Sequence, residues 1–163
     1  DLAYQRMQAA HGIESIEFAS FIEELCNDLH SSVMHRSCIV KAHPLMLSPE
    51  QAIPLSLIVN ELLANAIKHG PKGGGPIVVE LSNAPEQCRL VVRNDGSLPK
   101  GYTTGSKGFG MKMISSMVLQ LNGNLEVSSA DGKTEFVVSF RPIAPQPLIV
   151  RGEFPGGPEP LGV

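Results

Sequence analysis

In three stretches of this chain apolar residues recur at helical spacing, and in five others they alternate with polar residues or form short runs bounded by turn residues. Phe18, Phe21, Ile22, Leu25 and Leu29 share one face of a predicted helix over residues 18–33, with Glu23, Glu24, Asn27 and Asp28 on the other. A second helix is predicted over residues 48–70. Ser48 followed three residues later by Gln51 is a capping signature, Pro49 suits the first helical position, and Gly70-Pro71 supplies the stop. Leu55, Ile58, Val59, Leu62 and Ala66 mark its apolar face. A third helix is predicted over residues 111–121 and is stopped by Gly123. Strands are predicted over 38–43, 77–82, 87–93, 125–129 and 134–140. The turn at 83–86 makes the second and third of these antiparallel neighbours, and Asp131-Gly132 is a hairpin turn between the last two.

Other stretches carry weaker patterns. Residues 2–10 have helix-forming composition up to Gly12 and begin without a cap, as a piece of a longer protein would. From Asn94 to Gly110 the chain turns to Gly, Ser, Thr, Lys and Pro, a loop of a length that is uncommon unless functional or disordered. Beyond Arg141 the prolines 142, 145, 147, 155, 158 and 160 exclude helix and central strand, so residues 141–163 are expected as an extended or disordered tail in which Leu148-Ile149-Val150 could dock.

Composition narrows the class. A chain of 163 residues with 42% hydrophobic and 18% charged residues suits one globular domain with its own core. The net charge of -3 and the absence of a basic run argue against nucleic acid as partner. Cys26, Cys38 and Cys88 are odd in number and form no C-x-x-C pair, and read as small buried hydrophobes in a reducing compartment. The most apolar run, residues 53–67, is interrupted by Asn60, Glu61 and Asn65, so no membrane span or membrane contact is expected, and no signal-peptide pattern opens the chain. A cytoplasmic location is the expectation.

Candidate chemistry starts on the second helix, where Glu61, Asn65 and Lys68 stand at i, i+4 and i+7. A carboxylate can take a proton, an amide oxygen can hold a hard cation, and an ammonium can meet phosphate. By itself such a stripe is more often the wet face of an amphipathic helix. Two glycine segments add to it. Asn94-Asp95-Gly96 ends a strand, and Gly105-Ser106-Lys107-Gly108-Phe109-Gly110-Met111 opens into a helix whose unpaired N–H groups and positive dipole end suit a phosphate. Neither segment has Rossmann or P-loop spacing. Gly73-Gly74-Gly75 follows a helix and reads as a flexible turn.

In order, these pieces resemble the boxes of sensor histidine kinases. Asn60-Glu61-Leu62-Leu63-Ala64-Asn65-Ala66-Ile67-Lys68-His69 resembles the N box, Asn94-Asp95-Gly96 the first glycine box, Gly108-Phe109-Gly110-Met111 the second, and Gly132-Lys133-Thr134-Glu135-Phe136 the closing Gly-x-Thr-x-Phe element. The resemblance spans residues 16–140. Leu98-Pro99, the short loop, and the 18–29 helix preceded by Tyr4-Gln5-Arg6-Met7-Gln8-Ala9-Ala10-His11 look most like the HWE and second-dimerisation-domain (HisKA_2) group.

The resemblance implies an α/β fold of the Bergerat (GHKL) type, a two-layer sandwich with a mixed sheet and helices on one face, and ATP with Mg2+ as ligands. It implies Asn65 as the Mg2+ ligand and Glu61 as general base or orienter of the acceptor imidazole. Lys68 and His69 would meet phosphate. Asn94 or Asp95 would face the adenine amino group, with Thr134 supporting and Gly96 leaving room for the ring. Gly108 and Gly110, with the backbone of Phe109 and Met111, would cradle phosphate, and residues 97–107 would form the lid. Residues 1–15 would be a remnant of the dimerisation region, in which His11 is structural. The phosphoacceptor histidine would lie upstream of residue 1. His30, His35 and His43 have no partners at metal-ligand spacing and read as structural. The implied partners are a response regulator or phosphotransfer protein and, in the full-length protein, a second copy. The first glycine box departs from D-x-G-x-G, since Asn94 stands where an Asp belongs and the second glycine is absent. Two rival readings remain: a phosphotransfer or scaffold protein of the same fold without ATP, and a serine kinase of the anti-sigma type.

Overall fold

The computed structural model of the chain describes residues 15–31, 36–84, 86–98 and 109–146. The predicted 2–10 helix, His11, His35, the lid from residue 99, Gly108 and Leu148-Ile149-Val150 lie outside these residues.

The chain runs β1 (Ile16–Glu17), α1 (Phe18–Ser31), β2 (Cys38–Ala42), β3 (Met46–Leu47), α2 (Pro49–His69), β4 (Ile77–Asn83), β5 (Cys88–Asp95), α3 (Phe109–Gln120), β6 (Asn124–Ala130) and β7 (Lys133–Phe140). Five strands form one sheet in the order β2-β4-β5-β7-β6. The β2–β4 pair is parallel, as expected for strands joined by a helical crossover, and the remaining pairs are antiparallel. The two-residue strands β1 and β3 pair separately and had no signal in the hydrophobic pattern.

Strand alternation decides which face is covered. Ile77, Val79 and Leu81 of β4, Leu90 and Val92 of β5, and Phe136, Val138 and Phe140 of β7 share one core with Phe18 and Ile22 of α1, Leu55, Ile58, Leu62 and Leu63 of α2, and Ile114 and Val118 of α3. The helices therefore lie on one face, giving the expected two-layer α/β sandwich with a mixed sheet. The other face carries charge: the Arg93 guanidinium donates to Glu135 at 2.7 and 2.8 Å and stands 3.9 Å from Glu80.

The helix ends differ in detail from the sequence expectation. Ser48 precedes α2, but its hydroxyl caps nothing. Gln51 does not close a capping box. It is buried and turns away from Ser48, donating to the Arg141 carbonyl at 2.9 Å and accepting from the Ile143 N–H at 2.9 Å. Gln146 likewise brackets β3, accepting from Met46 N–H at 3.0 Å and donating to Met46 O at 2.7 Å. Residues 141–146 form neither helix nor strand and are tied to the domain, with Ala144 buried. Asp131 and Gly132 both have positive φ, 54° and 73°, as the two-residue β6–β7 hairpin requires.

Candidate functional site

The stripe on α2 and the first turn of α3 come together. A Cβ added to Gly110 would stand 2.8 Å from Glu61 Oε2 and 4.0 Å from Asn65 Nδ2, so the α3 N-terminus rests directly on these two side chains. Both are half-buried, and neither makes a hydrogen bond or ion pair among the described residues. The first amides of α3 lack intrahelical acceptors and carry the positive end of the helix dipole. Together they make a polar corner able to take a cation and an anion side by side. The Met111 side chain points into the core, so what Met111 offers a ligand is its backbone amide. Lys68 and His69 are exposed on the last turn of α2, one turn beyond Asn65, where positive charge also complements the helix end.

The second cluster terminates the two central strands. The alternation that sends Leu90 and Val92 into the core places Asn94 in the same row, and Thr134 continues the row of Phe136 and Val138. The two residues face each other across the β5–β7 register and are buried at 9% and 4% exposure. Asn94 Nδ2 donates to the Asp95 carbonyl at 2.8 Å, which leaves the Asn94 side-chain oxygen without a donor among the described residues. The Thr134 hydroxyl donates to the Gly96 carbonyl at 2.7 Å. Asp95 falls on the opposite phase, and its carboxylate accepts from the Gly75 N–H at 2.8 Å, tying the loop after α2 to the end of β5. Of the two candidates for reading a base, the structure puts Asn94 in the interior row and uses Asp95 as a loop tie.

Gly96 joins the clusters. Its φ of 116° is a conformation open to glycine, its N–H donates to the Gly132 carbonyl at 2.8 Å, and a Cβ there would meet Pro71 Cδ at 3.3 Å. The end of β5 therefore abuts the end of α2, so the Asn94–Thr134 pair stands beside the last turn of the helix that carries Glu61 and Asn65.

Sequence reasoning overlooked Arg36. Its guanidinium lies where Cβ atoms of Gly70 and Gly74 would be, 2.5 and 2.6 Å from those positions, and its Nε and Nη2 are buried without a partner among the described residues. Gly70 has φ -73° and is not a left-handed cap. A Cβ there would also stand 2.5 Å from the Ala66 backbone carbonyl oxygen, which is what requires glycine, and the room this leaves is taken by an arginine far upstream that no local pattern connects to the N box.

The donor set fits an adenine nucleotide with a divalent cation. Among the described residues the amide oxygen of Asn94, at the edge of an apolar layer, has no donor and the Asn65 amide has no partner, and Gly110 keeps the approach to the α3 amides open. No group of three or more His, Cys, Asp or Glu side chains able to hold a metal occurs among the described residues, so a cation here would rest on the amide and on the nucleotide itself.

Comparison with known proteins points the same way. Residues 50–144 match the family described as histidine kinase-, DNA gyrase B-, and HSP90-like ATPases. The probable sensor histidine kinase TcrY of Mycobacterium tuberculosis is 34% identical over 119 residues, covering 61% of this chain and 25% of TcrY. The nitrate/nitrite sensor protein NarX of Escherichia coli is 31% identical over 100 residues, covering 61% of this chain and 16% of NarX. The chain thus spans a quarter or less of these curated relatives. Among solved structures, the histidine kinase domain of the Erythrobacter litoralis EL346 blue-light activated histidine kinase superposes with a TM-score of 0.68 at 22% identity, covering 77% of this chain and 61% of that one. The mycobacterial sensor histidine kinase MprB gives a TM-score of 0.64 at 21% identity, covering 80% and 99%.

Proposed function

This chain belongs to the histidine kinase-, DNA gyrase B- and HSP90-like ATPase family as an ATP-binding domain of the histidine kinase type, and on that premise we propose that it binds Mg2+-ATP and serves phosphoryl transfer to a histidine outside this chain. The observation that carries the reading is the convergence on the N-terminus of α3 of Glu61 and Asn65, which have no partner among the described residues. Asn94 accepts from the adenine amino group through its free oxygen, Thr134 and Gly96 shape the floor beneath the ring, and Asp95 holds the adjoining loop. Asn65 holds Mg2+. The amides of the α3 first turn, with Gly108, Gly110 and the backbone of Phe109 and Met111, receive phosphate, and from α2 Lys68 adds positive charge and His69 a ring donor. Glu61 takes the proton of the acceptor imidazole or fixes its orientation. When bound, Mg2+-ATP supplies the phosphoryl group and neutralises its charge, and the chain's contribution is chiefly positioning and preorganised dipoles.

The HWE or HisKA_2 grouping, a homodimeric full-length kinase with residues 1–15 in its dimerisation region, a response regulator or phosphotransfer partner and a cytoplasmic location form part of the same proposal. No helix among the described residues is long and apolar enough to cross a membrane. Titration of the chain with a fluorescent ATP analogue and Mg2+ tests the reading. Saturable binding, lost in Asn65→Ala, is expected, and no saturation at millimolar ligand refutes it. The amide at position 94 favours the rival scaffold without ATP, and thermal melts separate the two: only a ligand of the native state raises the midpoint.

A further inference from the structure

The three cysteines sit in two settings. Cys88 is buried in the core, where burial pushes its thiol up to about 12. Cys26 and Cys38 meet across the seam between α1 and β2, with their sulfurs 2.8 Å apart in hydrogen-bond contact. Cys26 is on the inner face of α1 at 3% exposure, while Cys38 opens the edge strand β2 and is partly exposed. A disulfide holds its sulfurs at about 2.05 Å, so less than about 1 Å of approach separates this pair from bonding. The shared hydrogen bond, and then burial, push Cys26 up, and the same bond holds Cys38 below the usual thiol range. Cys38, the less buried of the two, is therefore the better nucleophile.

We infer that Cys26 and Cys38 are a redox modification site that closes to a reversible intrachain disulfide, clamping α1 to the edge strand of the sheet. The oxidant class is a peroxide. The Cys38 thiolate attacks one peroxide oxygen and the O–O bond breaks, leaving a sulfenic acid on Cys38 and hydroxide. The Cys26 sulfur then attacks the Cys38 sulfur, the S–S bond forms, and the sulfenic oxygen leaves as water with the available proton. In sum two thiols lose two electrons and two protons, and one hydrogen peroxide becomes two waters. A small thiol reverses the step. The clamp joins elements other than those carrying Glu61, Asn65, Asn94 and Thr134, so it tightens the domain without touching those residues.

The test treats the whole chain with hydrogen peroxide, quenches it, alkylates under denaturing conditions and maps the peptides by mass. The expected result is one alkylated thiol, Cys88, a linked peptide pair joining Cys26 to Cys38, and a melting midpoint raised by about 5 °C that dithiothreitol restores. Three alkylated thiols after peroxide, over-oxidation of Cys38 with Cys26 still free, or a disulfide through Cys88 or a second chain overturns the proposal. In Cys26→Ser, dimedone should trap a sulfenic acid on Cys38, and absence of the adduct in folded protein also counts against it. If that variant does not fold, the wild-type peptide map decides alone.

Discussion

The Asn94 amide should set nucleobase preference, because its orientation is already set by a neighbour. Only an NH2 group can face the Asp95 carbonyl at 2.8 Å, so the Asn94 oxygen is the atom left for a ligand. That oxygen accepts from the amino group of adenine and repels the carbonyl that guanine carries at the same place. To receive guanine the amide would have to flip, which removes the donor from a carbonyl in a largely buried setting. Such a loss costs about 1–3 kcal/mol, or roughly a 5- to 150-fold preference for ATP over GTP at about 1.4 kcal/mol per factor of ten. Asn94→Asp has no donor to turn outward, so it should sharpen the preference while lowering stability by about 1–3 kcal/mol through the unpaired Asp95 carbonyl. Asn94→Leu should weaken ATP and bring the two nucleotides to within about threefold. The assay is displacement of a fluorescent ATP analogue by each nucleotide in the three proteins, with denaturant melts alongside. If GTP displaces the probe from the wild-type chain as well as ATP does, or if Asn94→Asp leaves the ratio unchanged, the oriented amide is not the base reader.

Three further substitutions probe the frame. Gly96→Ala places a side chain at φ 116° and should cost about 1–3 kcal/mol in urea unfolding, with a matching loss of nucleotide affinity. Gly110→Ala should leave the fold intact and Mg2+-ATP binding nearly so, because Asn65 is at ordinary contact distance, while the Glu61 carboxylate, 2.8 Å from the new methyl, must shift. Phosphotransfer in trans to a separately supplied phosphoacceptor domain should then fall by about ten- to a hundredfold. Gln51→Leu removes both ties to residues 141–143, which should cost about 1–3 kcal/mol and speed hydrogen exchange at the Ile143 amide before that of the β7 amides.

Much of this protein lies on the surface of its sequence. Helical periodicity located α1, α2 and α3, and period-two alternation located the five strands of the main sheet, because burial on one face imposes those spacings wherever the chain runs. The order of the boxes also carried the family, since Glu61 and Asn65 lie one turn apart on a single helix and Asn94-Asp95-Gly96, Gly110 and Thr134 stand at element ends, so the local chemistry of each is visible in a few residues. Gln51 shows where such reading stops. Its spacing from Ser48 suits a capping box, yet its amide bonds Arg141 and Ile143, because packing brought partners about ninety residues away within reach.

By itself, then, the sequence determined the two-layer class, the helix that bears the polar stripe, and the residue types available for a nucleotide. Tertiary structure decided how they are used. The sheet's phase put Asn94 in the interior row and turned Asp95 to the Gly75 loop, the helix crossing laid Gly110 on Glu61, and the approach of α1 to β2 brought Cys26 to Cys38. Periodicity is a local consequence of which face is buried. The contacts that distinguish a ligand, a tie and a redox pair form between residues distant in the chain, and only the packed chain specifies them.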